Sequence, residues 1–265
     1  GEVGASAVGA GANASGAYAT ALGTEASAAE TQSTAVGFRS SAGGLASTTV
    51  GGYSSAGGDF ASAFGYGADA GGSGATAVGE GAAAGGDEST AVGGTTFFGL
   101  INTRASGTGS SAFGNGAWAT GEYSTALGHN SYADGEESVA VGVNAVAGAT
   151  NSVAIGDFAV ASAANSYALG GDAKAQAIGS VALGAGSNGI RMLLIGDEWV
   201  VDATHRLTGD DLEDYLLGCQ AALASSGPRY TPSRVYDETA LDERANHGHE
   251  FVVSGHMVHW LDRSS

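Results

Sequence analysis

What the chain lacks narrows its function before any motif is considered. It has one cysteine, Cys219, so an internal disulfide framework is not available. It has two prolines, and a single lysine, Lys174, among nine basic residues. Set against 27 acidic residues, this leaves a formal charge of −18. Phosphate binding needs a basic stripe, so the balance argues against a nucleic-acid partner. No apolar run reaches the roughly 18 residues of a membrane-spanning helix, and no membrane span is expected. The chain opens at Gly1 without an initiator methionine or a leader, as a processed or partial chain would.

Glycine is what the chain has in excess, 47 of 265 residues. That level usually signals disorder or a fibrous repeat, but 43% apolar residues argue against disorder. Much of that apolar fraction is alanine, so the first 190 residues cannot build a thick core of the usual kind. They can build a repeat. The phrase Ala-(apolar)-Gly closes at Gly9, Gly23, Gly37, Gly51 (with Thr49 in place of alanine), Gly65, Gly79 and Gly93, always fourteen residues apart. It resumes at Gly114, Gly128, Gly142, Gly156, Gly170 and Gly184 with the same step. Between Gly93 and Gly114 the step is twenty-one, one inserted half-repeat.

Inside each unit residues alternate with period two, the strand signature. One set is large: Val8, Leu22, Val36, Val50, Phe64, Val78, Val92, Phe113, Leu127, Val141, Ile155, Leu169 and Leu183. The alternate set is small, as Ser152 and Ala154 are around Val153. The other half-unit reads Ala-x-Ala, as in Ala145-Val146-Ala147. Each unit is therefore expected to hold two strands of about five residues joined by Gly-, Ser- or Asn-containing corners. Coils stacked at about 4.8 Å would make a rod on the order of 60 Å long. The large set is expected to fill the coil interior. The small Ser/Ala face is then left to be covered by identical chains, which favours a homotrimer.

"NSVAIG" (151–156), "ESVAVG" (137–142), "SYALG" (166–170) and "SVALG" (180–184) on this period resemble the head of trimeric autotransporter adhesins, the YadA-like heads. The resemblance covers residues 1–189. It implies a left-handed parallel β-roll, an intertwined homotrimer, and an extracellular site where a host-cell surface glycan or protein is bound. The same resemblance extends to β-roll fibres of tailed viruses. The adhesin family continues from its head into a neck, a heptad stalk and a membrane-anchoring barrel. After Gly184 this sequence shows neither sustained heptads nor amphipathic ten-residue strands. A virion fibre or spike, in contact with other virion proteins, is therefore expected ahead of a cell-surface adhesin head.

Two segments depart from the repeat. The insertion 94–106 carries Phe97, Phe98, Leu100 and Ile101, and an insertion in a solenoid emerges as a loop, often on the binding face. These four are candidate receptor contacts; the structural alternative is that they pack on a neighbouring chain. Residues 190–265 change composition and are expected to form a small α+β cap domain, trimeric like the shaft. Residues 191–202 read as a hairpin around Gly196-Asp197, and 250–262 as another around Ser254-Gly255. Residues 208–228 read as a capped helix whose apolar face buries Cys219.

Within that cap, His247 and His249 are the candidate metal ligands. On a strand both would point one way, and three chains would bring six imidazoles to an axis, enough for an octahedral transition metal. Ordinary interface histidines are the competing account, and no cofactor is otherwise expected. Catalysis is not expected: Ser254 lacks a nucleophile elbow, and the glycines belong to the repeat rather than to a phosphate loop. A threonine ladder at Thr20, Thr34, Thr48, Thr76, Thr90 and Thr125 raises an ice-binding solenoid as a distant alternative. Val139, Val153, Tyr167 and Val181 interrupt it, and its shared face with the large residues predicts that it points inward. The sequence thus predicts a mainly β, non-catalytic, trimeric attachment fibre. Its repeat is marked by Gly142, Gly156 and Gly170 at the coil corners.

Overall fold

The computed structural model of the chain describes residues 2–96, 101–189, 192–195, 198–201, 250–254 and 257–261. From Ser6 to Leu183 the backbone is a parallel β-solenoid with one fourteen-residue repeat per coil. Each coil contributes one three-residue strand, such as Val139–Val141, and one two-residue strand, such as Val146–Ala147. These are shorter than the five-residue strands expected, because two corners take up the rest of each short coil. The three-residue strands stack into a 13-stranded first sheet and the two-residue strands into a 12-stranded second sheet. Register is exact to the repeat: Val139 lies on Val153, Ala140 on Ala154 and Val141 on Ile155. Backbone bonds run from coil to coil, for example Val139 N–H to Ser152 O at 2.9 Å and Gly142 N–H to Leu127 O at 2.9 Å.

The interior is the reverse of the sequence expectation. Ala112, Ala126, Ala140, Ala154 and Ala168 on the first sheet are fully buried, and so are Ala119, Ala133, Ala147 and Ala161 on the second. The large residues point out. Val8 is 62% exposed, Leu127 47% and Ile155 43%, and none of the large set is buried. The physical reason is thickness: two sheets joined by such short corners leave room between them for methyl and hydroxymethyl groups only. Period two fixes the alternation but not which set faces in. Hydrophobicity picks the wrong set here, because the solvent-side column is the more apolar one.

Buried serines complete the filling at the corners. Ser124 donates to the Gly121 carbonyl at 2.7 Å, Ser131 to Gly128 at 3.0 Å and Ser166 to Ala163 at 2.6 Å. In these three the hydroxyl is satisfied by the carbonyl three residues back, and the corner is tied down. The corners also need left-handed backbone. Asn130, Asn144, Asn151 and Asn165 adopt it readily at φ of 51 to 56°, whereas Ala46 (51°) and Phe60 (59°) adopt it at a cost. At Gly156 (φ 138°) an added Cβ would overlap the carbonyl of Gly170 in the next coil. That close approach explains why the phrase ends in glycine.

Four further strands form an antiparallel sheet in chain order: Met192–Ile195, Glu198–Val201, Glu250–Ser254 and Met257–Leu261. Ile195 pairs with Glu198 and Ser254 with Met257, the tight hairpins read from the sequence. The helix expected over 208–228, with Cys219, lies outside the described residues.

Overpacking and relief of strain should act in opposite directions. Ala140→Leu is expected to destabilise the solenoid by at least about 2 kcal/mol. Ala46→Gly, at a left-handed corner, should stabilise it by about 1 kcal/mol. Urea unfolding followed by circular dichroism checks both, and equal midpoints for the two variants would contradict the assigned interior.

Candidate attachment surfaces

An alanine interior leaves every chemically distinctive side chain on the outside, so any site here is a surface. The first sheet presents two outward columns. One is the large set described above. The other runs Thr20, Thr34, Thr48, Ser62, Thr76, Thr90, Ser111 and Thr125, then changes to Val139, Val153, Tyr167 and Val181. These residues are exposed or half-exposed, so the expectation that the threonine ladder points inward is corrected. It points outward for the same reason the large residues do: the interior admits only the residues between them. Together the columns form a flat face of hydroxyls and branched apolar side chains running the length of the shaft.

A second surface lies on one corner. Phe38 packs edge-on against Tyr53 with ring centroids 5.2 Å apart, and Tyr53 against Tyr66 at 5.6 Å. The Arg39 guanidinium sits 5.1 Å from the centre of the Phe38 ring and is hydrogen-bonded to the Glu25 carboxylate one coil earlier. That bond and the charge of Glu25 raise the Arg39 pKa above its ordinary value, with Tyr53 adding to the shift. Arg39 and Tyr53 both sit in left-handed backbone, at φ of 53° and 57°. The sequence reading did not single out this cluster, although the fourteen-residue phase places Arg39 over Glu25 and Tyr53 over Arg39.

The insertion forms the third surface. Thr96 and Ile101 close it with an antiparallel bridge, and Ile101 is half-buried there. Phe97, Phe98 and Leu100 lie outside the described residues, as do His247 and His249. The base of the insertion is pinned into the coils around it. The Thr103 hydroxyl is fully buried, 2.7 Å from the Gly114 carbonyl and 2.9 Å from that of Gly94. Asn102 donates to Gly81 O at 3.1 Å, and Trp118 Nε1–H donates to Asn102 O at 2.8 Å. Val92 therefore stays in register with Phe113 across the break. Among the described residues, no group of three or more His, Cys, Asp or Glu side chains is placed to hold a metal ion, and no helix is long and apolar enough to cross a membrane.

A parallel two-sheet solenoid whose fourteen-residue coils each close on a small-x-small-x-Gly phrase, most often Ser-x-Ala-x-Gly, defines a repeat protein of the β-solenoid class. The family model described as "YadA head domain repeat (2 copies)" matches residues 3–26, 14–40, 70–95, 105–131, 133–159 and 161–187, more than half of the chain. The chain belongs to this family of adhesin heads, a structural and binding family exposed outside the cell. Among solved structures it is similar to the collagen-binding domain of the Yersinia adhesin YadA, at 15% identity. That likeness covers 93% of this chain and 99% of that one, with a TM-score of 0.22, and adds nothing to the assignment. No curated protein matches the chain.

Thr103→Val keeps the shape but removes the hydroxyl that stands between the Gly94 and Gly114 carbonyls with one proton to share between them. It is expected to cost about 1–3 kcal/mol and to speed hydrogen exchange at the amides of 94–103 relative to the coils on either side. Uniform exchange along the shaft would show that the hydroxyl does not hold the insertion.

Proposed function

We propose that the chain is the head of a homotrimeric, non-catalytic extracellular attachment fibre. The observation that carries this reading is the outward face of the first sheet. A continuous run of Val, Leu, Ile and Phe along thirteen strands is a contiguous apolar strip of the kind that marks an interaction surface. Other copies of the same repeat, in the same register, are the natural cover. Thr and Ser beside the apolar residues from Leu22 to Leu127 allow close approach there, and beyond Leu127 the neighbouring column is itself apolar. The sequence reading assigned the contact to the small Ser/Ala face; that face is the interior, and the proposed contact moves to the large residues.

The same face bears on ice binding. Its hydroxyl column does point outward, but each hydroxyl is flanked by a bulky apolar residue, and the column ends after Thr125. A protein neighbour suits that surface better than an ice lattice. The ligand is proposed to be a host-surface glycan or protein. The finer setting is a virion fibre ahead of a cell-surface head, supported by the composition change after Ile190, where the head repeats give way to the antiparallel four-stranded sheet.

Sedimentation equilibrium of the full chain is expected to give three times the chain mass. Val141→Asp together with Ile155→Asp should shift it to monomer while keeping the β-sheet circular dichroism. A wild-type monomer would overturn the trimer. Beads coated with the trimer should adhere to a panel of eukaryotic and bacterial cells, and failure on every cell type would overturn attachment. Immunogold labelling of virions and of cell surfaces from the source distinguishes the two settings.

A further inference from the structure

The outward column of the second sheet changes character at the insertion. From Asn13 to Ala83 its residues are small or polar. Beyond the insertion it reads Arg104, Trp118, Tyr132, Val146, Val160 and Lys174, each in register with the next. The four central side chains are half-buried and the two basic ends are exposed. Trp118 is fixed in place: its ring packs edge-on against Tyr132 at 5.5 Å, and its N–H is held by Asn102 O. A rigid aromatic anchor loses little freedom when something binds to it.

The placement of charge is the second observation. The shaft 1–189 has three basic residues, Arg39, Arg104 and Lys174, in a chain of net charge −18. Arg39 is occupied by Glu25, whereas Arg104 and Lys174 have no carboxylate within 4.0 Å among the described residues. These two close the two ends of one apolar ribbon. Five coil steps separate them, about 24 Å at the spacing of paired strands. The ribbon faces away from the first sheet, because the small buried residues on either side of each of its members, such as Ala117 and Ala119 beside Trp118 or Ser131 and Ala133 beside Tyr132, line the interior. Covering the first sheet with other copies therefore leaves it open.

We propose that this ribbon binds an extended peptide segment of a partner protein, with apolar side chains on Trp118, Tyr132, Val146 and Val160 between one carboxylate on Arg104 and another on Lys174. About seven residues of extended chain span that distance. A uniformly anionic glycan fits less well. Valines offer nothing to sugar hydroxyls, exposed Asp134 and Asp172 flank the ribbon, and the acidic shaft repels a polyanion along its middle. Charge at the ends only, with apolar groups between, is the pattern the surface complements.

The inference deepens the attachment reading and rests on it. Its test uses the trimeric full chain and two pools of eight-residue peptides with the same varied Leu/Val/Thr centre, one ending in Glu on both sides and the other in Lys. Fluorescence polarisation should show the Glu-ended pool binding at least tenfold tighter. Arg104→Glu with Lys174→Glu should abolish that preference, and Trp118→Ala should weaken binding at least tenfold, with circular dichroism and mass unchanged. Equal binding of the pools, or no binding of either, overturns the proposal. Tighter binding of heparin than of the Glu-ended pool overturns it in favour of an anionic glycan. Loss of the trimer on charge reversal overturns it by making the ribbon a subunit contact. Bead adhesion run in parallel separates the two readings. Adhesion that survives charge reversal sinks the ribbon and leaves attachment standing, whereas a wild-type trimer that adheres to nothing sinks attachment itself.

Discussion

The whole molecule depends on how little space lies between its two sheets. Alanine methyls from Ala126, Ala140 and Ala154 meet those from Ala133, Ala147 and Ala161, and corner serines close the ends. A larger side chain has no place there. Two features of the shaft follow: the glycine that ends a phrase, as at Gly142 and Gly156, where the next coil's carbonyl comes too close for a Cβ, and the outward turn of the large column from Val8 to Leu183. Interior packing of this kind yields little apolar burial per residue, so coil-to-coil backbone hydrogen bonds carry a larger share of stability than in an ordinary domain.

That constraint also divides the shaft's surface by task. The first sheet is long, apolar and uniform, which suits a contact repeated by every copy. The second sheet and the corners are varied. They hold the Phe38–Arg39–Tyr53–Tyr66 cluster, the insertion base, and the ribbon from Arg104 to Lys174. Variation on a regular scaffold is where a repeat protein places recognition, because a surface side chain can change without disturbing the alanine ladder beneath it. Even the insertion obeys this rule. Val92 keeps its register with Phe113 across it, and Thr103 is buried at its base against the Gly114 carbonyl.

Much of this was legible in the sequence. The fourteen-residue phase gives the coil, the parallel stacking, the register and the single break, and the family likeness rests on the same phrase. The inside and outside of the strands were not legible. Period two is symmetric, and hydrophobicity, the usual arbiter, points inward for Val153 and Ile155 although the alanine between them is the buried one. The clue available was volume: a coil of fourteen residues is too thin for its own branched side chains. The surface clusters were within reach too. Residues fourteen apart are neighbours, so Trp118 with Tyr132 and Glu25 with Arg39 can be paired by counting. Pairs within the break, such as Thr103 with Gly94, depend on the path of the insertion, which the phase does not specify.

The central claim is that the alanines face in and the large residues face other copies of the chain. Oxidative crosslinking of single-cysteine variants tests it most directly, with Cys219 replaced by serine. Ile155→Cys is expected to form disulfides between copies under mild oxidant, while Ala154→Cys, one residue away, should stay reduced and unreactive to thiol reagents until the protein is unfolded. The reverse pattern, with a sheltered Ile155→Cys and a crosslinked or freely labelled Ala154→Cys, would contradict the account.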